Sequence, residues 1–426
     1  MRLFALAALT LLTLPCTAQA TDLALTNATV YTQPDRPPLH DATILIHDTH
    51  IVAVGPTKST KLPTTARSID CTGLTITAGF WNSHVHLLPP QLLHADDQSS
   101  AVLNAQLQTM FTRWGFTTVF DVASPLSNTS FIRSQIEAGK LLGPHVLTVG
   151  DPFWVKTPVY VQRYLAEFNI TMPEVHAIPE AVARVDRQIQ DGADGIKIFA
   201  GSIEADHVEY IPLDLARAVV AEAHRHNKLV FSHPSTIKGV ELSLDAGVDI
   251  LAHVTTSENG ESGTTWPPEL VARMKAAHMS LVPTLTLFDV ELQKGNASPE
   301  VTRQVIALAV SQLHAYASAG GQILFGTDIG YIDHYDTAEE FQLMLRAGMT
   351  FPQILASLTT NPAQRFGYAS HRGRIAPGFD ADLVILKSDP AADVTALSHV
   401  AYTIRNGQIL FDSQSSATQN SSQQPQ

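Results

Sequence analysis

Short apolar runs divided by polar, turn-forming stretches recur along the whole chain. Near the start, "LALTNATVYT" and "ATILIHDTHIVAVG" alternate apolar and polar positions and are separated by Pro- and Asp-rich turns, which predicts the short strands of a small β-domain. From about residue 74 the pattern changes. Eight compact apolar runs follow one another: "LTITAGF", "TTVFDVA", "PHVLTVG", "GIKIFAG", "LVFSHPS", "DILAHVT", "MSLVPTLTL" and "QILFGTDIG". Most are separated by segments of helical period, such as "IPLDLARAVVAEAHRHN" and "SPEVTRQVIALAVSQLHAYASAG". This alternation predicts an α/β chain built on a (β/α)8 TIM barrel.

The last helices of that barrel are expected near "TAEEFQLMLRAG" and "TFPQILASLTTNPAQRFG", after which "GRIAPGFDADLVILKSDP" and "VAYTIRNGQIL" return to strand character. The expected organisation is a signal peptide over 1–20, the N-terminal part of a β-domain over 21–73, the barrel over 74–368 and the C-terminal part of the β-domain over 369–412. The two parts are expected to join in a small β-sandwich. The polar, low-complexity tail 413–426 is expected to be disordered.

Composition adds limits to this picture. A chain of 426 residues has room for a barrel of about 250 residues and an accessory domain. With 45% hydrophobic and 16% charged residues it is globular in character, and a net charge of -13 without any basic run argues against a nucleic-acid partner. "MRLFALAALTLLTLPCTAQA" joins a basic residue, an apolar stretch and the small-residue site Ala18-Gln19-Ala20, which predicts export to a periplasmic or secreted location. The apolar stretch is shorter than the ~20 residues of a membrane span, so no membrane association is expected beyond the signal. Cleavage after Ala20 removes Cys16 and leaves Cys71 alone, without a disulfide partner in the mature chain.

The candidate chemistry lies at the ends of the predicted strands. In "GFWNSHVHL", His84 and His86 are two apart on a strand, so both rings project from one face and can offer nitrogens to one object, a metal ion. Working groups of such barrels sit at C-terminal strand ends. Other strand ends supply Lys197, His233, His253 and Asp328. Ile196 and Ile198 are expected to face the helices, which turns Lys197 inward, where a free ammonium loses its hydration. Two resolutions are open: a salt bridge to Asp328, or reaction of the neutral amine with CO2 to give a carbamate whose two oxygens bridge two cations. The carbamate is favoured, because four histidines and a carboxylate exceed what one zinc takes.

"GFWNSHVHL", "GIKIF", "FSHPS", "LAHVT", "FGTDIG" and "GRIAPGFDADLVIL" together resemble the metal-dependent amidohydrolase superfamily, in particular its imidazolonepropionase-like and Xaa-Pro dipeptidase-like members. The resemblance runs from about residue 22 to 412. It implies that His84 and His86 hold the more buried of two divalent ions, with zinc favoured, and that His233 and His253 hold the more exposed one. It also implies that carboxylated Lys197 bridges them and that Asp328 binds the first ion and the nucleophile. One departure is Asn82, where many such proteins carry an aspartate.

The charges suggest a mechanism in which a shared water becomes hydroxide near neutral pH, attacks a carbonyl, and Asp328 carries its proton to the leaving nitrogen. The expected activity is hydrolysis of an amide, peptide-like or lactam C–N bond in a small molecule, with a dipeptide or N-acyl amino acid favoured. A mononuclear deaminase of the same superfamily and a non-catalytic binding barrel are the alternatives; a homo-oligomer is compatible with either. Loop residues His207, Tyr210, Tyr331 and His334 are candidate substrate contacts, whereas Trp154 is expected in the core.

Overall fold

The alternating segments at the start of the chain pair as antiparallel neighbours: β1 (Asp22–Val30), β2 (Leu39–His47) and β3 (His50–Pro56). β4 (Arg67–Asp70) and β5 (Thr75–Ala78) run parallel to β1. The computed structural model describes residues 22–255, 257–258, 261–262 and 264–415; the expected signal peptide and most of the expected tail lie outside the described residues.

The run "LTITAGF" does not form one strand. It divides at Gly79, whose N–H donates to Asp382 O at 2.8 Å and where a Cβ would stand 2.2 Å from Thr117 Oγ1. β5 stays with the first sheet, and β6 (Phe80–Val85) begins a three-stranded parallel sheet with β7 (Phe116–Asp121) and β8 (His145–Thr148).

A second parallel sheet starts with β9 (Gly195–Phe199), which is followed by the hairpin β10 (Gly201–Ile203) and β11 (Val208–Tyr210). It continues with β12 (Leu229–His233) and β13 (Ile250–Ala252). The short pair β14 (Ser257–Glu258) and β15 (Glu261–Ser262) comes before β16 (Ser280–Val282), which closes this sheet in the order β16-β13-β12-β9. Helices connect successive strands. Ile178–Gln190, for example, starts with a proline in its first turn and buries Ala181, Arg184, Val185 and Gln188, the three-and-four spacing that places one face on a sheet. Ile237–Ala246 is capped by the Thr236 hydroxyl and ends at Gly247 with φ +85°.

The expected closed eight-stranded barrel is not present as one continuous ladder. The eighth apolar run, 323–329, forms no regular strand. It touches the flanking sheets through isolated parallel bridges, Leu281 with Ile323 and Val85 with Ile329, and through hydrogen bonds from Ser83 N to Phe325 O and from His86 N to Ile329 O, both 2.8 Å. The local cause is the backbone of "FGTDIG": Asp328 has φ +62° and Gly330 φ +97°, which interrupts the pleat. Across the other gap, Phe153 bridges Ile198, and Asp194 N donates to Thr148 O at 2.7 Å.

β17 (Leu383–Leu386), β18 (Val400–Arg405) and β19 (Gln408–Asp412) return the chain to the first sheet, where β17 pairs antiparallel with β5. The order β19-β18-β17-β5-β1-β2-β3, with β4 on β1, is one mixed sheet of eight strands. The expected sandwich of two sheets is therefore corrected to one ladder, because β5 carries the pairing directly from the N-terminal to the C-terminal strands. Its core includes Leu25, Ile44, Ile76, Leu383, Ile385 and Ile404.

Glycine 330 fixes how near the eighth segment comes to β6, since a Cβ there would stand 1.7 Å from His86 O. Gly139 also has positive φ, +70°, but nothing lies within 4 Å of its missing Cβ. Gly330→Ala should therefore cost about 2 kcal/mol or more beyond Gly139→Ala, the difference being overpacking on top of shared backbone strain. Urea unfolding of both variants measures it; equal losses would refute the close-approach role.

Candidate active site

Alternation within the strands aims the site residues. His84 lies near the end of β6 and His86 just past it, with the His84 amide donating to Asn82 Oδ1 at 3.3 Å. Asn82 Nδ2 in turn donates to Thr327 Oγ1 at 2.8 Å, which ties β6 to the residue before Asp328. Lys197 is the middle residue of β9; Ile196 and Ile198 pack in the core and Lys197 turns the other way, only 1% exposed. His233 ends β12, and His253 follows β13. All six sequence-predicted residues, Asp328 included, line one cavity of about 330 Å³.

Asp328 is the centre of this group. Its Oδ1 lies 2.7 Å from His86 Nε2 and 3.2 Å from His84 Nε2, and its Oδ2 lies 3.9 Å from His253 Nε2. Ligand-type atoms of His84, His253 and Asp328 all fall within 4.8 Å of one another. The rings of His233 and His253 meet edge-on at 4.8 Å, and those of His84 and His253 are tilted at 4.6 Å.

The second layer determines which nitrogens face inward. His86 Nδ1 lies 3.2 Å from Ala123 O, a pure acceptor, so that nitrogen carries a proton and Nε2 is the one turned to Asp328. His253 Nδ1 lies 2.6 Å from Thr284 Oγ1, whose hydroxyl donates to Pro283 O at 2.9 Å; Nε2 is left with a lone pair. Nitrogens of three imidazoles thus crowd one buried carboxylate, and among the described residues His84 Nδ1 and Asp328 Oδ1 have no hydrogen-bond partner. The donor set fits a divalent metal ion.

Burial pushes His84 down to about 3, with Lys197 adding to the effect and Asp328 opposing it. Burial, reinforced by Lys197, likewise lowers His233 to about 3, and burial holds His253 well below the ordinary range. Burial alone would raise Asp328, but the histidines around it, His84 first, keep its carboxyl well below the usual range. Burial lowers Lys197 to about 7, and no carboxylate lies within 4.0 Å of its Nζ among the described residues. The result is neutral imidazoles at His84, His233 and His253, an ionised carboxylate and an amine that is partly neutral near pH 7.

The four loop residues expected to touch substrate divide differently. Tyr331 lines the cavity, but His207, Tyr210 and His334 do not. The β10–β11 hairpin carries His207 outward to pair with Asp206 at 2.7 Å, and it places Ile203 in the cavity wall instead. The Tyr210 hydroxyl lies 2.8 Å from Thr236 Oγ1, and His334 is half-buried beside Glu339. Trp154, expected in the core, is buried against Phe199 at 5.0 Å and also forms part of the cavity wall.

Several site-shaping residues were not evident from sequence. Asp121, at the end of β7, accepts hydrogen bonds from Ser124 at 2.6 Å and from Thr129 and Thr148 at 2.9 Å; Ser124 also accepts from Leu87 N, so this cluster holds the loop that presents Ala123 O to His86. Glu340 accepts from Leu285 N at 2.9 Å and Thr286 N at 2.7 Å, capping the helix Leu285–Lys294 that follows Thr284. Burial raises Glu340 to about 7. An aspartate ending an apolar run was a readable signal for the first; nothing local marked the second.

Residues 75–410 match the model of the Amidohydrolase family. An ochratoxinase from Aspergillus niger is 26% identical over 273 residues, which covers 61% of this chain and 52% of that protein. The chain thus spans about half the length of the curated relatives it matches. Among solved structures, a Xaa-Pro dipeptidase with bound methionine in the active site superposes with a TM-score of 0.77 at 22% identity, covering 91% of this chain and 99% of that one. The A. niger ochratoxinase structure gives a TM-score of 0.72 at 20% identity, covering 92% and 96%.

The depressed histidines make stability depend on pH. The unfolded chain binds protons near 6.5, whereas the folded His84 and His233 resist them down to about 3, so the stability they hold above pH 6.5 is lost as pH falls. Going from pH 7.5 to 5 should cost the metal-free protein about 1–2 kcal/mol through His84 alone. Urea titrations at both pH values test this, and His84→Gln should flatten the dependence.

Proposed function

The chain belongs to the amidohydrolase family, and we propose that it is a metal-dependent hydrolase of an amide or peptide-like C–N bond in a small molecule. The observation that carries this reading is the convergence of four histidines, a buried lysine and an ionised aspartate on one cavity, with the Nε2 atoms of His86 and His84 at 2.7 and 3.2 Å from the carboxylate.

His84, His86 and Asp328 would hold one divalent ion and His233 with His253 the other, with zinc favoured by the imidazole-rich set. Bound metal supplies Lewis acidity, which acidifies a water and polarises the scissile carbonyl. The remaining work falls to side chains. Asp328, kept ionised by its histidines, accepts the proton of the attacking water and returns it to the leaving nitrogen. The Thr284 and Ala123 contacts hold the rings of His253 and His86 with Nε2 turned toward Asp328. The Lys197 amine would add through its lone pair to the carbon of CO2 as one C=O π pair moves onto oxygen, and would lose one proton to solvent, leaving an anionic carbamate whose two oxygens would serve the two ion sites. Its burial without a paired acid and its lowering to about 7 support this step.

The same reading takes both parallel sheets and the segment 323–329 as the (β/α)8 arrangement; the hydrogen bonds across both gaps support it. Export follows from the sequence of residues 1–20, and no helix among the described residues is long and apolar enough to cross a membrane. A mononuclear deaminase would leave Lys197 as an unpaired buried amine, which favours the binuclear reading.

Elemental analysis of protein purified with bicarbonate should find two equivalents of divalent metal per chain. Lys197→Ala should lose most of that metal and recover in part with added short carboxylates; a fully loaded, fully active variant would sink the carbamate. Asp328→Asn should lower turnover roughly 10²–10⁴-fold while metal is retained. Undiminished turnover in that variant would remove Asp328 as proton carrier.

A further inference from the structure

The chamber above the metal ligands has a strong chemical bias. Six aromatic side chains, Trp154, Tyr160, Tyr164, Phe199, Phe288 and Tyr331, line it, with aliphatic side chains between them. Its ionisable lining consists of the six site residues, the tyrosines and Glu291. No arginine lines it among the described residues, and Lys197 is its one lysine. The helix Leu285–Lys294 places Phe288 on the wall and Glu291 one turn further out, where Lys294 Nζ lies 3.5 Å from it. Outside, a groove that shares Tyr160, Tyr164, Glu291 and Tyr331 with the chamber carries Arg163 and Lys294. Charge is thus confined to the floor and the rim.

A carboxylate pressed against this wall would give up its hydration without a cation in return, and the Tyr164 hydroxyl is already committed to Leu88 O at 2.8 Å. An aromatic or branched apolar group gains there from burial and from ring contacts. We infer that the site takes small amides whose portion beside the scissile bond is uncharged and aromatic or bulky and apolar, in preference to the carboxylate-bearing dipeptides and N-acyl amino acids. This rests on the amide-hydrolase reading of the same site.

The test uses N-phenylacetylaniline, its analogue with a carboxylate on the aniline ring, and the uncleavable ketone isosteres in which CH2 replaces the amide NH. Calorimetry of the two ketones, on protein as purified and after zinc loading, should show the neutral one binding at least about tenfold tighter in both states. Phe288→Ala should weaken it at least about fivefold at unchanged zinc content, and Phe288→Leu, which keeps an apolar wall, should lose less. Equal or tighter binding of the carboxylated ketone, or no binding of either, overturns the inference. Turnover of the two amides is read separately: a retained binding preference with neither amide cleaved counts against the hydrolase reading and supports the binding class.

Discussion

A carboxylate taken out of water and ringed by imidazole nitrogens is the constraint on which the rest of this structure depends. Asp328 is 4% exposed and stands 2.7 Å from Nε2 of His86, whose Nδ1 on the other side of the ring faces Ala123 O. Such a cluster is costly as an isolated set of groups and becomes favourable only around a positive charge. The surrounding hydrogen bonds make sense in that light. Thr284, Ala123 and the Asp121 cluster stabilise the tautomers that keep the cluster open to a cation, rather than satisfying it internally. The cost of an unfilled centre is built into the fold, so metal binding and stability are linked.

The backbone shows the same concentration of strain. Ser235, His253, Thr284 and Asp328 all adopt positive φ, between +47° and +74°, and all lie within a few residues of a strand end or of the eighth segment. None is glycine, so each conformation is held by its surroundings. Glu340 caps the helix that begins immediately after Thr284, and the Asn82–Thr327 bond fixes the approach to Asp328. A left-handed residue after a strand turns the next side chain out of the pleat, which is how consecutive parallel strands can aim groups at one point instead of at alternating faces.

Much of this centre was legible because period-two alternation is a local property. Ile196 and Ile198 on the core side suffice to place Lys197 on the other, and the one-residue gap between His84 and His86 suffices to place both rings together. What was not legible depended on non-local geometry. The division of "LTITAGF" at Gly79 follows from contacts with Thr117 and Asp382, which no local pattern reveals. His207 looked like a substrate contact from its position after β9, but the hairpin register sends it to solvent and Ile203 inward. The eighth run had the composition of a strand, yet the glycines and the turned Asp328 leave it bridged rather than laddered. Tyr160 and Phe288 sit on helices whose docking sets the chamber, and helix docking is not written in any one segment.

The chamber and the metal floor are also not independent parts. Phe199 stacks on His233 with centroids 4.7 Å apart and planes 17° apart, while Trp154 meets Phe199 edge-on at 5.0 Å and Lys197 Nζ lies 5.7 Å from its ring. The same ring therefore forms the apolar wall and restrains His233, which among the described residues has no hydrogen-bonded partner of the kind that holds His86 and His253. Van der Waals contact orients His233 where hydrogen bonds orient His86 and His253. A change in the wall at Phe199 would then alter metal geometry together with substrate fit, whereas a change at Phe288, on the far helix, would alter the fit alone. Specificity can be retuned from the side of the helix Leu285–Lys294 but not from β9, because β9 carries both Phe199 of the wall and Lys197 of the cavity floor.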